Sequence, residues 1–352
     1  MSRRAWLAFA VMSVVWGVPY LFIKVAVDDG VPPAFLAWVR VVIGAGVLVG
    51  VAWRAGILRT VRDRLRWLMA FAVVEIVVPF PLIAAGEQHV DSSVAAIIIA
   101  TAPLFVALLA LRFDATERTG GWRLIGLFVG LGGVVALVGI DFAGEADELL
   151  GAAALVAAAL GYAAGPMILK RQLADLDQRA VMGAALAVAA VLLAPGAALD
   201  PPEAMPSAAA LVALAVLGLV CTAAGLVVYG MLVAEAGAGR ALIITYVNPV
   251  VAVALGIVFL EERPGAGALV GLALILAGSW LATTSTGGAE GDTVEQTQPP
   301  GSSMPPEPAR APGLSAAGRR AGVGSTRWQP NRQRPQSTWS ATREDHMGHG
   351  PD

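Results

Sequence analysis

Glu75 stands near the middle of the apolar run VVEIVVPFPL, where an ionisable group is hard to place unless it works. At the centre of a bilayer the charged form costs roughly 2.5 to 3.5 kcal/mol on insertion scales. A carboxylate sheds that cost by taking up a proton, so Glu75 is a candidate proton carrier. Arg40 lies about 10 Å, by helical rise, into the preceding apolar run. Its planar guanidinium suits a substrate carboxylate; the structural alternative is that Arg40 and Glu75 pair, or that each is hydrogen-bonded within a bundle. Pro103 and Pro249 fall near the middle of two further runs. A proline there frees the carbonyl four residues earlier, here Ile99 and Thr245, and kinks the axis. Pro79 and Pro81 are expected to break the run that carries Glu75. Trp16, Tyr20, Thr101, Tyr162, Tyr229, Thr245, Tyr246 and Asn248 add polar or aromatic groups suited to amphipathic or cationic ligands. Packing alone is the competing role for each.

These side chains need elements to hold them, and composition says which. The chain is 57% hydrophobic and 14% charged over 352 residues, too apolar for a water-soluble domain. Runs of the roughly 20 apolar residues that cross hydrocarbon recur at 5–27, 33–53, 67–86, 92–111, 122–140, 150–169, 180–199, 208–233, 241–260 and 265–284. The fold class this predicts is an all-α membrane protein of ten transmembrane helices. Basic residues crowd alternate connections: Arg3 and Arg4, Arg54 to Arg66, Arg112 to Arg123, and Lys170 to Arg179. The other connections carry Asp28, Asp29, Asp91, Asp141 and Asp200 with almost no Lys or Arg. The positive-inside rule then puts both termini in the cytoplasm. Arg3 and Arg4 before an apolar stretch could be a secretory signal, but the stretch is too long and lacks a small-residue cleavage pattern, so it is read as a retained span. Residues 287–352, rich in Pro, Gly, Ser and Arg, read as a disordered cytoplasmic tail. Cys221 is the one cysteine, so no intrachain disulfide forms.

The chain also says the same thing twice. ERTGGWRLIGL at 117–127 returns as ERPGAGALVGL at 262–272, each after an apolar run with a central proline. Two repeats follow, 1–145 and 146–286, with five spans each. An odd number of spans per repeat inverts one against the other, the geometry that alternating access requires. Glu117 and Glu262 then lie on opposite membrane sides, and each is expected to stabilise the start of the helix it precedes, spans five and ten. Lys24 and Lys170, also equivalent, can snorkel to headgroups or meet substrate. GLFVG at 126–130 and GALVG at 267–271 permit close helix approach, with internal packing favoured over a dimer interface.

Trp16 and Gly17 with Lys24, Arg40 after Pro33, the central Pro103 and Pro249, and both E-R...G...GL stretches together resemble the EamA-type branch of the drug/metabolite transporter (DMT) superfamily. The resemblance covers both repeats and leaves out the tail. It implies a bacterial inner-membrane carrier, often an exporter of amino acids or related metabolites, with a central cavity lined by spans one, three, four, six, eight and nine. The second repeat departs from the family pattern: Gly161 and Tyr162 stand where a Trp is common, and span seven has no counterpart of Arg40.

Enzyme chemistry is not indicated. His89, His346 and His349 are the only histidines, and there is no Walker loop, zinc spacing or Ser/His/Asp set. No cofactor and no metal are expected, and without an ATP site transport is secondary. The implied partners are a small-molecule substrate and membrane lipid, not nucleic acid; a homodimer stays open. The function expected is proton-coupled export of small amino-acid-like or amphipathic metabolites. The alternatives are an importer or uniporter of a metabolite or sugar and, in a different class, a membrane-embedded enzyme or a channel.

Overall fold

The computed structural model describes residues 2–113, 121–141, 146–236 and 243–284, and all regular structure among them is helical. Glu117 and the tail 287–352 lie outside the described residues. In chain order the helices are α1 (Arg3–Gly17), α2 (Pro19–Asp28), α3 (Pro33–Arg54), α4 (Leu65–Ala72), α5 (Pro79–Glu87), α6 (Ser92–Ile99) and α7 (Ala102–Phe113). They continue as α8 (Gly121–Asp141), α9 (Ala146–Ile168), α10 (Gln178–Leu199), α11 (Ala208–Val216), α12 (Gly225–Ala236), α13 (Ile244–Phe259) and α14 (Ala266–Thr284). Among the described residues eight segments are long and apolar enough to cross a membrane: Arg3–Asp28, Pro33–Arg54, Leu58–Glu87, Ser92–Leu109, Leu124–Asp141, Ala146–Leu173, Gln178–Leu199 and Ala208–Leu232. Two shorter apolar stretches, Ile244–Phe259 and Ala266–Ala282, fall where the ninth and tenth spans are expected.

Several spans are broken, and proline explains most of the breaks. Without an N–H, Pro79 cannot extend the helical ladder. The chain ahead of it widens into a π-turn over Val73–Val77, closed by Val78 N–H donating to the Val73 carbonyl, and α5 restarts at Pro79. Pro19 opens α2 in the same way. Span four breaks one residue before α7, where Thr101 N–H and its hydroxyl both donate to the Ile98 carbonyl. Pro103 therefore sits in the first turn of α7, where its missing donor costs nothing, while Pro249 lies inside the continuous α13. Further π-widened segments are Leu169–Leu173, which follows α9, and Leu217–Ala224, which joins α11 to α12 without a proline.

The repeated segments pack on each other. α3 and α10, each 22 residues long, run antiparallel: Trp38 Nε1–H donates to the Ala190 carbonyl at 3.1 Å, while Gly183 lies against Leu48 and Gly196 against Ala34. α8 and α14 form the tightest seam. A Cβ on Gly126 would lie 2.6 Å from Ala282 N and 2.7 Å from the Gly278 carbonyl, and one on Gly133 would lie 2.9 Å from the Gly271 carbonyl. Gly126 and Gly271 hold matching places in the two E-R...G...GL copies, as do Gly133 and Gly278. The two contacts are thus one contact seen from either side, the signature of a local twofold. Backbone meets backbone along this seam, as expected of small residues spaced along a membrane helix.

Carboxylates close the helix ends, though not where the sequence placed them. Glu262 is buried and accepts from Ser92 N (2.8 Å), Ser93 N (3.0 Å) and the Ser93 hydroxyl, so it caps α6 rather than the helix it precedes. The left-handed Glu261 (φ 55°) turns the chain back so that Glu262 N–H donates to the Gly256 carbonyl and its side chain points inward. The start of α14 is met instead by Asp141, which accepts from Gly267 N (3.0 Å) and Ala268 N (2.6 Å). Asp29 accepts from Ser207 N at 2.8 Å, ahead of α11. All three carboxylates reach from one half of the chain to the other.

Gly126→Ala is expected to lower the unfolding temperature of the detergent-solubilised protein by the equivalent of about 1 to 3 kcal/mol, since only backbone could give way. Gly132→Ala, which meets nothing within 4 Å, is expected to be neutral or stabilising by about 0.5 to 1 kcal/mol. In the same assay Glu262→Ala, which strips two amides of their acceptor, is expected to cost about 2 kcal/mol or more, and Glu262→Gln less.

Candidate functional site

Two charged residues of the bundle, Arg40 and Glu75, lie at the break in span three. Arg40 on α3 is 8% exposed. Its Nε–H donates to Thr222 Oγ1 at 2.9 Å, and its Cζ lies 4.0 Å from the centroid of the Phe80 ring. The Thr222 hydroxyl, in the π-widened segment Leu217–Ala224, donates in turn to the Leu217 carbonyl at 2.8 Å. A guanidinium is therefore held by a hydroxyl oxygen and an aromatic face, both neutral. Among the described residues no ion pair joins Arg40 to Glu75, so the structural pairing open from the sequence is not formed.

Glu75 sits in the π-turn and faces α9. A Cβ on Gly165 would fall on its carboxyl group, and one on Gly161 would lie 2.9 Å from Pro79 and also against the Val74 carbonyl. Two glycines one helical turn apart on α9 thus make room for the widened turn and its carboxylate. This gives the Gly161 departure from the family pattern a physical reason, because no side chain fits there. Glu75 Oε2 is buried and has no hydrogen-bond partner among the described residues. Tyr162 and Tyr229 are within electrostatic reach of Glu75, and Tyr162 and Tyr20 within reach of Arg40. Trp16 stacks on Tyr229 with ring centroids 4.7 Å apart. Trp16, Tyr20, Arg40, Glu75, Tyr162 and Tyr229 therefore lie in one neighbourhood.

The other candidates stand apart from it. Thr101 spends its hydroxyl on Ile98 at the break of its own span. Tyr246 donates to the Ser279 carbonyl at 3.2 Å and so faces α14, with Thr245 half-buried beside it. Asn248 Oδ1 is buried without a partner among the described residues, and the Asn248 carbonyl lies against Gly17 next to Trp16. Sequence reasoning missed Phe80 and Thr222, because neither is unusual in an apolar run. It also missed Glu87, which ends α5 just beyond the expected end of span three. Lys24 is half-buried, donates to the Glu87 main-chain carbonyl at 2.8 Å and pairs with Asp28 at 3.3 Å. Lys170 is exposed. Among the described residues no three His, Cys, Asp or Glu side chains converge on a metal position.

Apolar helices of membrane-crossing length, packed through glycine seams and enclosing charged side chains at helix breaks, define a multi-pass membrane protein. The EamA-like transporter family model matches twice, over residues 3–139 and 149–284, and the chain belongs to that family. Among its relatives, the "uncharacterized inner membrane transporter YedA" of Escherichia coli is 28% identical over 71% of this chain and 80% of its own length. The "probable terminal-alkyne amino-acid exporter" of Streptantibioticus cattleyicolor is 31% identical over 81% of this chain and 95% of its own length. The "probable amino-acid metabolite efflux pump" of Escherichia coli is 24% identical over 80% and 95%. A crystal structure sharing 20% of its residues covers 81% of this chain and 98% of its own, with a TM-score of 0.59, a likeness of fold.

Thr222→Val keeps the shape and removes the one hydrogen bond that anchors Arg40 Nε. It is expected to destabilise the protein by about 1 to 3 kcal/mol in thermal unfolding, and Thr222→Ser is expected to restore most of the loss.

Proposed function

We propose that this chain is a proton-coupled secondary carrier that exports small amino-acid-like or amphipathic metabolites by alternating access. In this reading ten spans form two inverted five-helix repeats in a bacterial inner membrane, with both termini cytoplasmic. The antiparallel packing of α3 with α10 and of α8 with α14 supports the inversion. The observation that carries the functional reading is the separation of buried Arg40 from half-buried Glu75. Among the described residues Arg40 is held by the neutral Thr222 and Phe80, and Glu75 has an oxygen with no partner. A guanidinium in that state can take a substrate carboxylate, and a carboxyl in that state can alternate between holding a proton and meeting a substrate cation. The aromatic rings of Trp16, Tyr20, Tyr162 and Tyr229 would cover the rest of an amphipathic molecule. The names of two relatives, an amino-acid metabolite efflux pump and an amino-acid exporter, point to the same substrate class.

Cells producing the protein and loaded with peptides are expected to release amino acids into the medium faster than cells with an empty vector. Glu75→Gln is expected to abolish the dependence of release on an imposed pH gradient. Arg40→Gln is expected to weaken apparent affinity by about tenfold or more, the value of a charge-assisted hydrogen bond of about 1.5 to 3 kcal/mol. Release equal to the empty vector for every amino acid would refute the substrate class, and a Glu75→Gln protein with unchanged pH dependence would refute the proton role.

A further inference from the structure

Glu87, the last residue of α5, plays no part in the site above, yet it is the most deeply withdrawn carboxyl among the described residues. Its exposure is 0%, and both of its oxygens are buried without a hydrogen-bond partner. The charged form of such a group has nothing in contact to offset its desolvation. The adjacent cation does not supply the missing contact. Lys24 Nζ donates to the main-chain carbonyl of Glu87 at 2.8 Å and pairs with Asp28 at 3.3 Å, leaving the Glu87 side chain unbonded. The charged groups around it are mixed in sign: Lys24 and Asp28 on α2, Glu262 ahead of α14, and Arg40 on α3.

Nor is Glu87 isolated from Glu75. Tyr20 lies within electrostatic reach of both Glu87 and Tyr162, and Tyr162 within reach of Glu75. Both tyrosines pack against the apolar cluster containing Ile83 and Ala84, which fill the length of α5 between the two carboxyls. Beyond Glu87 the chain turns at once into a polar surface. His89, Val90 and Asp91 line a cavity of 390 Å³ together with Asp141 and Glu148.

We propose that Glu87 is a second proton-binding site of the carrier, at the opposite end of α5 from the π-turn that holds Glu75, and that it carries its proton as the neutral acid at neutral pH. The site exchanges that proton with water in the adjoining polar cavity, the carboxyl becoming carboxylate as the proton leaves. The inference rests on the proton-coupled reading for its purpose, though not for its test.

Infrared spectra of the full chain in lipid, recorded as pH is stepped, report protonated carboxyl groups through their C=O stretch, and exposed Asp and Glu are ionised near neutrality. Glu87→Gln is expected to remove one component of that band at neutral pH and Glu75→Gln a different one. Glu87→Asp is expected to keep a component at a shifted frequency. A Glu87→Gln protein that elutes as the wild type does and keeps the whole band overturns the proposal. An unshifted band in the Glu87→Asp protein overturns it equally, so the test survives a glutamine variant that does not fold. Loss of the Glu87 component, with Glu75→Gln changing neither band nor export, supports the Glu87 site and removes the role proposed for Glu75 instead.

Discussion

A backbone amide or carbonyl inside hydrocarbon has no water to turn to, so every helix end and every break must find its partner within the protein. The described part of this molecule answers that demand with side chains carried across from other segments. Glu262 meets the opening amides of α6, Asp141 those of α14, and Asp29 the amide ahead of α11. Lys24 meets the closing carbonyl of α5. Because the three carboxylate caps run between repeats, the bonds that complete the helices also hold the two repeats together. Neither repeat satisfies its own termini alone.

Where buried side chains are left without such a partner, several of them sit at breaks and helix ends. Glu75, Glu87 and Asn248 each keep a buried oxygen without a partner among the described residues. Glu75 lies in a widened turn and Glu87 at the end of the helix that follows, and the Asn248 carbonyl rests where α1 gives way to α2. Widened turns and interrupted helices in membranes survive only where protein or a lined cavity replaces the missing bonds. Arg40 shows the complementary arrangement. Its anchors are a threonine hydroxyl and a phenylalanine face, which fix its position without neutralising its charge. A direct pair with Glu75 would have satisfied both residues and left neither for a ligand.

Much of this was legible in the chain. The apolar runs, the doubled E-R...G...GL stretch and the isolated Glu75 and Arg40 need only hydropathy and spacing to be seen. The close approach promised by GLFVG and GALVG is the seam between α8 and α14. Other features were hidden for identifiable reasons. Glu87 sits where an apolar run meets a polar turn, so composition reads it as a boundary residue, and only the tertiary packing around α5 buries it. Thr222 and Phe80 are ordinary members of apolar segments until Arg40 reaches them.

Glu262 marks the division most clearly. Sequence alone showed the apolar runs and their duplication, through side-chain hydropathy and a repeated motif, which are local, and it led to the expectation that Glu262 stabilises the helix it precedes. Which helix the carboxylate caps was decided by tertiary structure. The left-handed turn at Glu261 and the antiparallel contact between repeats bring Ser92 and Ser93 to it from 170 positions away. Pairings of that kind depend on how helices pack and on where the chain turns back, and hydropathy along one segment carries no information about its neighbour across the bundle.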